Sequence, residues 1–264
     1  AVWLHSSEGQ EVTIIDGEDE RRGVACSNGE DNNTHIEGFT IKNGYSVNFT
    51  YDEFGSGNEN GGGIILVSSS PSFSGCNIKE NTSPETIQWQ NGIGGGVFCT
   101  GTSPHHFSMF TNCIIKDNTA ANGAGFACWY ANNGPILNNC IIKNNIASYD
   151  GGGIQINNSG AIMMNSTVCG NEPNQIDEGL GGVSDEGGNF IGFTCPAYGA
   201  CCTNNICLES EEEECVQFGG AWLGEGTTCE GNPCPVHCAE DVTGDGVVDV
   251  SDLLAIIAVW GACP

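Results

Sequence analysis

One six-residue piece of this chain occurs as C-N-I-K-E-N at residues 76–81, C-I-I-K-D-N at 113–118 and C-I-I-K-N-N at 140–145. A diverged copy, S-T-V-C-G-N, follows at residues 166–171, so successive copies begin 37, 27 and 26 residues apart. Between the copies lies a second piece, a glycine-rich triplet followed by an apolar residue. It occurs as G-G-G-I at 61–64, G-G-G-V at 94–97, G-A-G-F at 123–126 and G-G-G-I at 151–154.

The alternation of these two pieces predicts a repeat protein in which one repeat forms one coil. Apolar runs of three to five residues between Gly and Asn are too short for amphipathic helices and are typical of short strands. Successive coils would stack about 4.8 Å apart through parallel backbone hydrogen bonds. The sequence therefore predicts an all-β parallel β-helix.

Stacking in register places like residues in columns. We expect an inward column of Ile41, Ile78, Ile115 and Ile142, and a column of Asn81, Asn118, Asn145 and Asn171 whose amides hydrogen-bond along the axis. Cysteines form two further columns, one of Cys76, Cys113 and Cys140 and one of Cys99 and Cys128. Adjacent cysteines would either form disulfides or remain small buried thiols.

These repeats resemble the short units of pectate-lyase-like right-handed β-helices and of bacterial polymorphic outer-membrane proteins. E-V-T-I-I-D-G at residues 11–17 and I-E-G-F-T-I at 36–41 look like the opening coils of such domains. The resemblance covers residues 1–192 and implies a right-handed parallel β-helix there. It is specific for the fold and weak for function.

Composition limits the partners of the protein. The 264 residues include 6 Lys and Arg against 33 Asp and Glu, for a net charge of −27. This charge disfavours nucleic acid and anionic membranes, and it either attracts divalent cations or keeps the protein soluble. No apolar run is long enough to span a membrane.

Sixteen cysteines without zinc-finger spacing indicate an oxidising, extracellular compartment, and we expect a secreted product whose export signal has been removed.

Residues 193–236 are expected to form a disulfide-rich module, because so short a segment cannot build a sufficient core. The candidate bridging residues are Cys201, Cys202, Cys207, Cys215, Cys229 and Cys234. Fifteen pairings are open, and a zinc site is the alternative reading.

Residues 237–264 contain D-V-T-G-D-G-V-V-D-V-S-D at 241–252, which fits a twelve-residue Ca²⁺ loop with its bend at Gly246. The oxygen ligands would come from Asp241, Thr243, Asp245, the Val247 carbonyl, Asp249 and Asp252. With the apolar run at 253–260, the loop resembles one half of a type I dockerin, although only one copy is present and Thr243 replaces the usual Asn or Asp. Cys238 and Cys263 flank the unit and are expected to form a disulfide. The alternative is an acidic tail without a bound ion.

Lys42, Lys79, Lys116 and Lys143 are expected to align as a stripe on the outside of the coils. The stripe either binds an acidic glycan or an acidic subunit, or it merely reflects repeat duplication within an acidic field. The acidic residues Glu80 and Asp117, next in sequence, are expected to point away from it. Asn32 and Asn48 are the favoured glycosylation candidates among five sequons.

The sequence offers no catalytic constellation, although many parallel β-helices cleave polysaccharides. The favoured function is a non-catalytic, secreted surface or matrix protein, structural or adhesive. It would be attached through Ca²⁺ or assembled through its coil edges, by self-association into a filament or with a protein partner. The alternative is a polysaccharide-binding or polysaccharide-cleaving β-helix enzyme, a lyase or hydrolase, with a dockerin-type anchor.

Overall fold

The computed structural model divides the chain into two compact units, Ala1–Cys195 and Pro196–Pro264. In the first unit it describes residues 2–46, 60–85, 92–101, 107–131 and 134–195, and Pro196 of the second unit is described as well. In the second unit it describes residues 198–203, 206–211, 215–216, 220–225 and 227–229. The Ca²⁺ loop, Asn48, Cys234, Cys238 and Cys263 lie outside these residues and stay predictions.

The described part of the chain is built from short strands. In chain order they are β1 (Trp3–His5), β2 (Ile14–Asp16), β3 (Val24–Cys26), β4 (His35–Glu37), β5 (Thr40–Lys42), β6 (Ile64–Val67), β7 (Ser72–Ser74), β8 (Asn77–Lys79), β9 (Thr82–Ser83), β10 (Val97–Thr100), β11 (Met109–Thr111), β12 (Ile114–Lys116), β13 (Thr119–Ala120), β14 (Phe126–Trp129), β15 (Ile136–Asn138), β16 (Ile141–Lys143), β17 (Ile146–Ala147), β18 (Ile154–Asn157), β19 (Ser159–Met164), β20 (Thr167–Cys169), β21 (Ile176–Asp177), β22 (Gly181–Asp185), β23 (Phe190–Gly192), β24 (Tyr198–Thr203), β25 (Ile206–Glu211) and β26 (Ala221–Glu225).

The strands of the first unit form stacked parallel sheets, and neighbouring strands of a sheet come from successive coils. Sheet A is ordered β1-β4-β7-β11-β15-β19-β22, sheet B is ordered β2-β5-β8-β12-β16-β20-β23, and sheet C is ordered β3-β6-β10-β14-β18-β21. A short fourth sheet, D, joins β9, β13 and β17 between sheets B and C. The chain therefore winds from A through B to C in every turn, which confirms the predicted parallel β-helix.

The repeated six-residue piece supplies sheet B, and its register is the predicted one. Ile41, Ile78, Ile115 and Ile142 pair in succession across β5, β8, β12 and β16. All four side chains are fully buried. Side chains alternate along a strand, so a single inward Ile between two outward residues gives each three-residue strand one anchor in the core.

Large side chains fill the interior between the sheets. Phe73 of sheet A stacks on Phe110 of the next coil with ring centroids 4.9 Å apart, and Phe110 meets Phe126 of sheet C edge-on at 5.1 Å. A second, smaller apolar cluster covers the outer face of sheet C, where Ile65, Phe98 and Ala127 are buried.

The predicted asparagine column lies at the turn after sheet B, with every member buried. The Nδ2 group of Asn81 donates to the Oδ1 atom of Asn118 at 3.0 Å. Asn118 donates in turn to Asn145 at 2.9 Å, and Asn145 to Asn171 at 2.9 Å. The column ends on Gln175, whose Oε1 atom accepts from the Nδ2 group of Asn171 at 2.8 Å.

The second unit contains an antiparallel sheet in which β24 pairs with both β25 and β26. Cys201 of β24 forms a disulfide with Cys215. Cys202 and Cys229 each take part in a disulfide as well. Among the residues that the structure describes, there is no helix that is long and apolar enough to cross a membrane.

Candidate functional site

The outer face of sheet B carries the predicted lysine stripe. Its register runs from Asp16 through the four lysines to Cys169, one residue per coil. The Nζ atom of Lys42 lies 3.3 Å from an Asp16 carboxylate oxygen. The stripe therefore begins with an ion pair between adjacent coils.

Glu80 and Asp117 do not point away from the stripe, contrary to the expectation from the sequence. Lys79 pairs with Glu80 at 3.2 Å, and Lys116 pairs with Asp117 at 3.5 Å. Both acidic residues adopt a left-handed backbone with φ of 56°, and this turn directs each carboxylate back toward the preceding lysine. Among the described residues, Lys143 has no carboxylate within salt-bridge distance, because Asn144 occupies the corresponding place. Three of the four charges are thus neutralised locally.

The cysteines of the first unit follow two patterns. Cys169 forms a disulfide with Cys195, with Cα atoms 4.9 Å apart. Six others are buried thiols: Cys26, Cys76, Cys99, Cys113, Cys128 and Cys140. The structure thus leaves the candidate pair Cys99 and Cys128 unbonded, although the two residues face each other in register.

The stacking itself explains why these columns remain thiols. Two in-register side chains are related by a translation of about 4.8 Å along the axis, whereas a disulfide requires Cβ atoms about 3.8 Å apart. Burial and the neighbouring Cys128 thiol hold the pKa of Cys99 well above its usual range. Burial, with a smaller effect of Glu30, raises the pKa of Cys26 to about 12. The Cys26 and Cys99 thiols are therefore protonated and unreactive at neutral pH.

The end of β14 carries a pair of aromatic side chains at the outer edge of sheet C. Trp129 is partly buried against the cluster of Ile65 and Phe98, while the side chain of Tyr130 is 53% exposed. The two rings are nearly perpendicular, at 82°, with centroids 6.4 Å apart. They form an open aromatic corner, which we define as Trp129 and Tyr130.

Polar groups continue from this corner toward the next coils. The indole Nε1 of Trp129 donates to Gln155 at 3.0 Å, and the Nε2 of Gln155 donates to an Asp177 carboxylate oxygen at 3.0 Å. Asn157 lies next to Trp129 in the register of β14 and β18. Nothing in the sequence repeats pointed to this cluster, because its members fall outside both repeated pieces.

A groove of about 440 Å³ follows the outer face of sheet A. Phe107 and Ile162 line it together with glycines of three successive coils, Gly134, Gly160 and Gly182. A side chain at Gly182 would meet no atom within 4 Å, so the groove is open there. It has an apolar wall, and none of its lining residues carries a charge.

Titratable groups are dispersed over the described residues. Arg21 pairs with Glu18, and the Nε of Arg22 donates to the Asn60 carbonyl at 2.9 Å. Within the described ranges of the chain, no three His, Cys, Asp or Glu side chains lie together in an arrangement that could hold a metal ion. The glycosylation candidate Asn32 is partly buried, and its Oδ1 atom is enclosed without a hydrogen-bond partner.

The fold and its surfaces together define a disulfide-containing parallel β-helix of the solenoid class. Comparison with protein-family models, with curated proteins and with solved structures gives no match. The resemblances to pectate-lyase-like proteins and to dockerins therefore remain predictions from the sequence.

Proposed function

We propose that the protein is a non-catalytic, extracellular scaffold of a cell surface or matrix, with the β-helix as its rigid part. The observation that carries the proposal is the uninterrupted asparagine column from Asn81 to Gln175. Each amide is buried and joined both to the next coil and to the backbone of the preceding one. A stack tied in this way resists bending and local opening, as a structural or adhesive element requires.

Disulfides support the extracellular location. Cys169–Cys195 and Cys201–Cys215 are intact cross-links, and such bonds are typical of oxidising compartments. The net charge of −27 suits a surface bathed in divalent cations.

Attachment would rely on the loop at residues 241–252, which has the ligand spacing of a Ca²⁺ site. Its oxygen ligands would hold the ion, and the ordered loop would then present the apolar segment at 253–260 to a protein partner. Titration of the full chain with Ca²⁺ tests this part. Asp241→Asn with Asp249→Asn should weaken binding strongly, whereas Asp185→Asn, outside the loop, should not. Equal affinity in the two variants would contradict the assignment.

Negative-stain microscopy of the full chain with and without a chelator tests the scaffold. We expect particles whose self-association or attachment depends on Ca²⁺, and whose β-helix keeps the same width with and without the ion. Filaments that persist in chelator would favour assembly through coil edges instead. Particles that collapse or vary widely in shape would contradict a rigid scaffold.

The second candidate function is polysaccharide binding, with or without cleavage. The groove on sheet A favours it, because its lining includes glycines of three successive coils, Gly134, Gly160 and Gly182, and carries no charge. Incubation with neutral and acidic polysaccharides, followed by reducing-end and unsaturated-product assays, separates binding from cleavage. Product formation by the full chain would contradict the non-catalytic role.

A further inference from the structure

We infer that the aromatic corner of Trp129 and Tyr130 is a binding site for neutral polysaccharide. This inference rests on the polysaccharide-binding function proposed above and adds its location and sugar class. An aromatic face carries partial negative charge and attracts the polarised C–H groups on the face of a pyranose ring. Two rings at 82° provide one face for stacking and a second ring at the edge of the bound sugar.

Trp129 is held in place before any ligand arrives. Its indole packs on the outer apolar cluster, and its N–H is fixed by Gln155, which is itself buried and oriented by Asp177. A ring oriented in advance loses little conformational entropy on binding. The relay from Trp129 through Gln155 to Asp177 therefore acts as a positioning device for the stacking surface.

Tyr130 adopts a backbone conformation that does not suit its side chain. Its φ is 53°, in the left-handed region that bulky residues avoid. The corresponding positions of other coils are Ser68, Gly101 and Asn158, of which Ser68 and Asn158 have φ of 48° and Gly101 has φ of 94°. Gly and Asn tolerate this region better than an aromatic residue does, and Ser at least has a small side chain. A strained and exposed tyrosine where the other coils use small residues points to a role outside folding.

The polar surroundings suit hydroxyl groups rather than anions. The side-chain amides of Asn157 and Asn158 make no hydrogen bond to any residue that the structure describes, and they lie on the coil directly below the corner. Asp177 adds an acceptor on the following coil. None of the six Lys and Arg residues lies on β10, β14, β18 or β21. An anionic sugar would meet the Asp177 carboxylate and no Lys or Arg on these strands, so the ligand is neutral.

Isothermal titration of the full chain with cellohexaose, xylohexaose, mannohexaose and hexagalacturonate tests the site. We expect binding of at least one neutral hexasaccharide and weaker binding of hexagalacturonate. Tyr130→Asn should raise the Kd about tenfold or more, because the bound sugar loses its contact with the exposed ring of the corner. The matched control is Tyr149→Asn, since Tyr149 is also an exposed tyrosine, at 54%, and lies away from the corner on another turn. It should leave the Kd within about twofold of the parent.

Thermal unfolding of the same variants separates binding from folding. Because Asn suits a left-handed backbone, Tyr130→Asn should unfold at the same temperature as the parent chain or higher. A lower unfolding temperature together with weaker binding would make Tyr130 a structural residue and overturn the site. Unchanged binding in Tyr130→Asn, or tighter binding of hexagalacturonate, would overturn the site while polysaccharide binding stands. A parent chain that binds none of the four sugars would overturn both.

Discussion

At the scale of the residue, the buried asparagines carry more than their size suggests. The Nδ2 group of Asn118 donates both to the Ile78 carbonyl at 3.1 Å and to Asn145, and its Oδ1 atom accepts from the backbone N–H and the amide of Asn81. Removing one such side chain leaves several buried partners unsatisfied at once, and each costs about 1–3 kcal/mol. The column is therefore sensitive to substitution at any of its places.

We expect Asn118→Ala to lower the free energy of unfolding by at least about 3 kcal/mol, since its partners have no water to replace it. Asn138→Ala is the control, because this asparagine points outward from β15 and is partly exposed. It should change stability by less than about 0.5 kcal/mol. Urea unfolding followed by circular dichroism measures both, and similar losses in the two variants would contradict the role of the column.

The Cys26 thiol makes stability depend on alkaline pH. Its pKa is about 12 in the folded chain against an ordinary value of 9.0, so above pH 9 the unfolded chain loses a proton that the folded chain keeps. Stability should therefore fall as the pH rises from 9 toward 12, by up to about 1.4 kcal/mol per pH unit for this group. In Cys26→Ala the free energy of unfolding should fall less steeply with pH over the same range. The same pH dependence of the unfolding free energy in the parent chain and in Cys26→Ala would exclude Cys26 as the cause of the loss of stability.

At the scale of the element, the glycine-rich turns allow the coils to lie close together. The turns before four strands of sheet C, β6, β10, β14 and β18, each begin with a glycine at positive φ: Gly61, Gly94, Gly123 and Gly151. At the glycines inside the turn, a larger residue is excluded by lack of space for its side chain rather than by the backbone angle φ. A Cβ atom on Gly96 would lie 2.6 Å from the Gly125 carbonyl oxygen of the next coil and 2.9 Å from the amide of Asn118. The glycine turn and the asparagine column thus depend on each other.

Gly96→Ala should consequently destabilise the protein by at least about 2 kcal/mol, because the clash involves backbone that cannot rotate away. Gly182→Ala is a matched control in the same solenoid, where an added Cβ meets nothing within 4 Å. We expect its thermal midpoint to match that of the parent chain closely. A harmless Gly96→Ala would show that successive coils are farther apart than the structure places them.

At the scale of the whole molecule, the burial of the inward side chains decreases from the central coils of the solenoid toward its two ends. Phe110 and Ile115 of the central coil are fully buried, whereas Leu4 and Ile191, which belong to the same inward columns, are 47% and 49% exposed. A coil in the middle packs against two neighbours and an end coil against one. Local stability should follow this difference.

Hydrogen exchange measured by mass spectrometry tests this order. We expect peptides covering β11, β12 and β14 to exchange at least about tenfold more slowly than peptides covering β1, β2 and β23. Exchange should then proceed inward from the end coils as denaturant is added. A uniform rate across all coils would indicate a single all-or-none unit instead.

Much of this architecture could be predicted because each repeat has the same residue types at the positions that contact the neighbouring coils. The Ile, Asn and Lys columns were evident from residues 76–81 and their copies. The structure confirms that the Ile and Lys residues pair in register and that the Asn amides hydrogen-bond from coil to coil. What could not be predicted were contacts made once. The Cys169–Cys195 bridge, the cap at Gln175 and the corner at Trp129 have no second copy to reveal them.

The sequence by itself determined the class of fold, since recurring apolar, Asn and Gly positions have one common solution when strands stack in register. Only the tertiary structure decided what each column does. It turned Glu80 and Asp117 back onto their lysines through a left-handed backbone. It also kept Cys99 and Cys128 apart as thiols, because translation along the axis holds side chains parallel rather than convergent. Direction and distance between side chains are properties of packed strands, and spacing along the chain does not contain them.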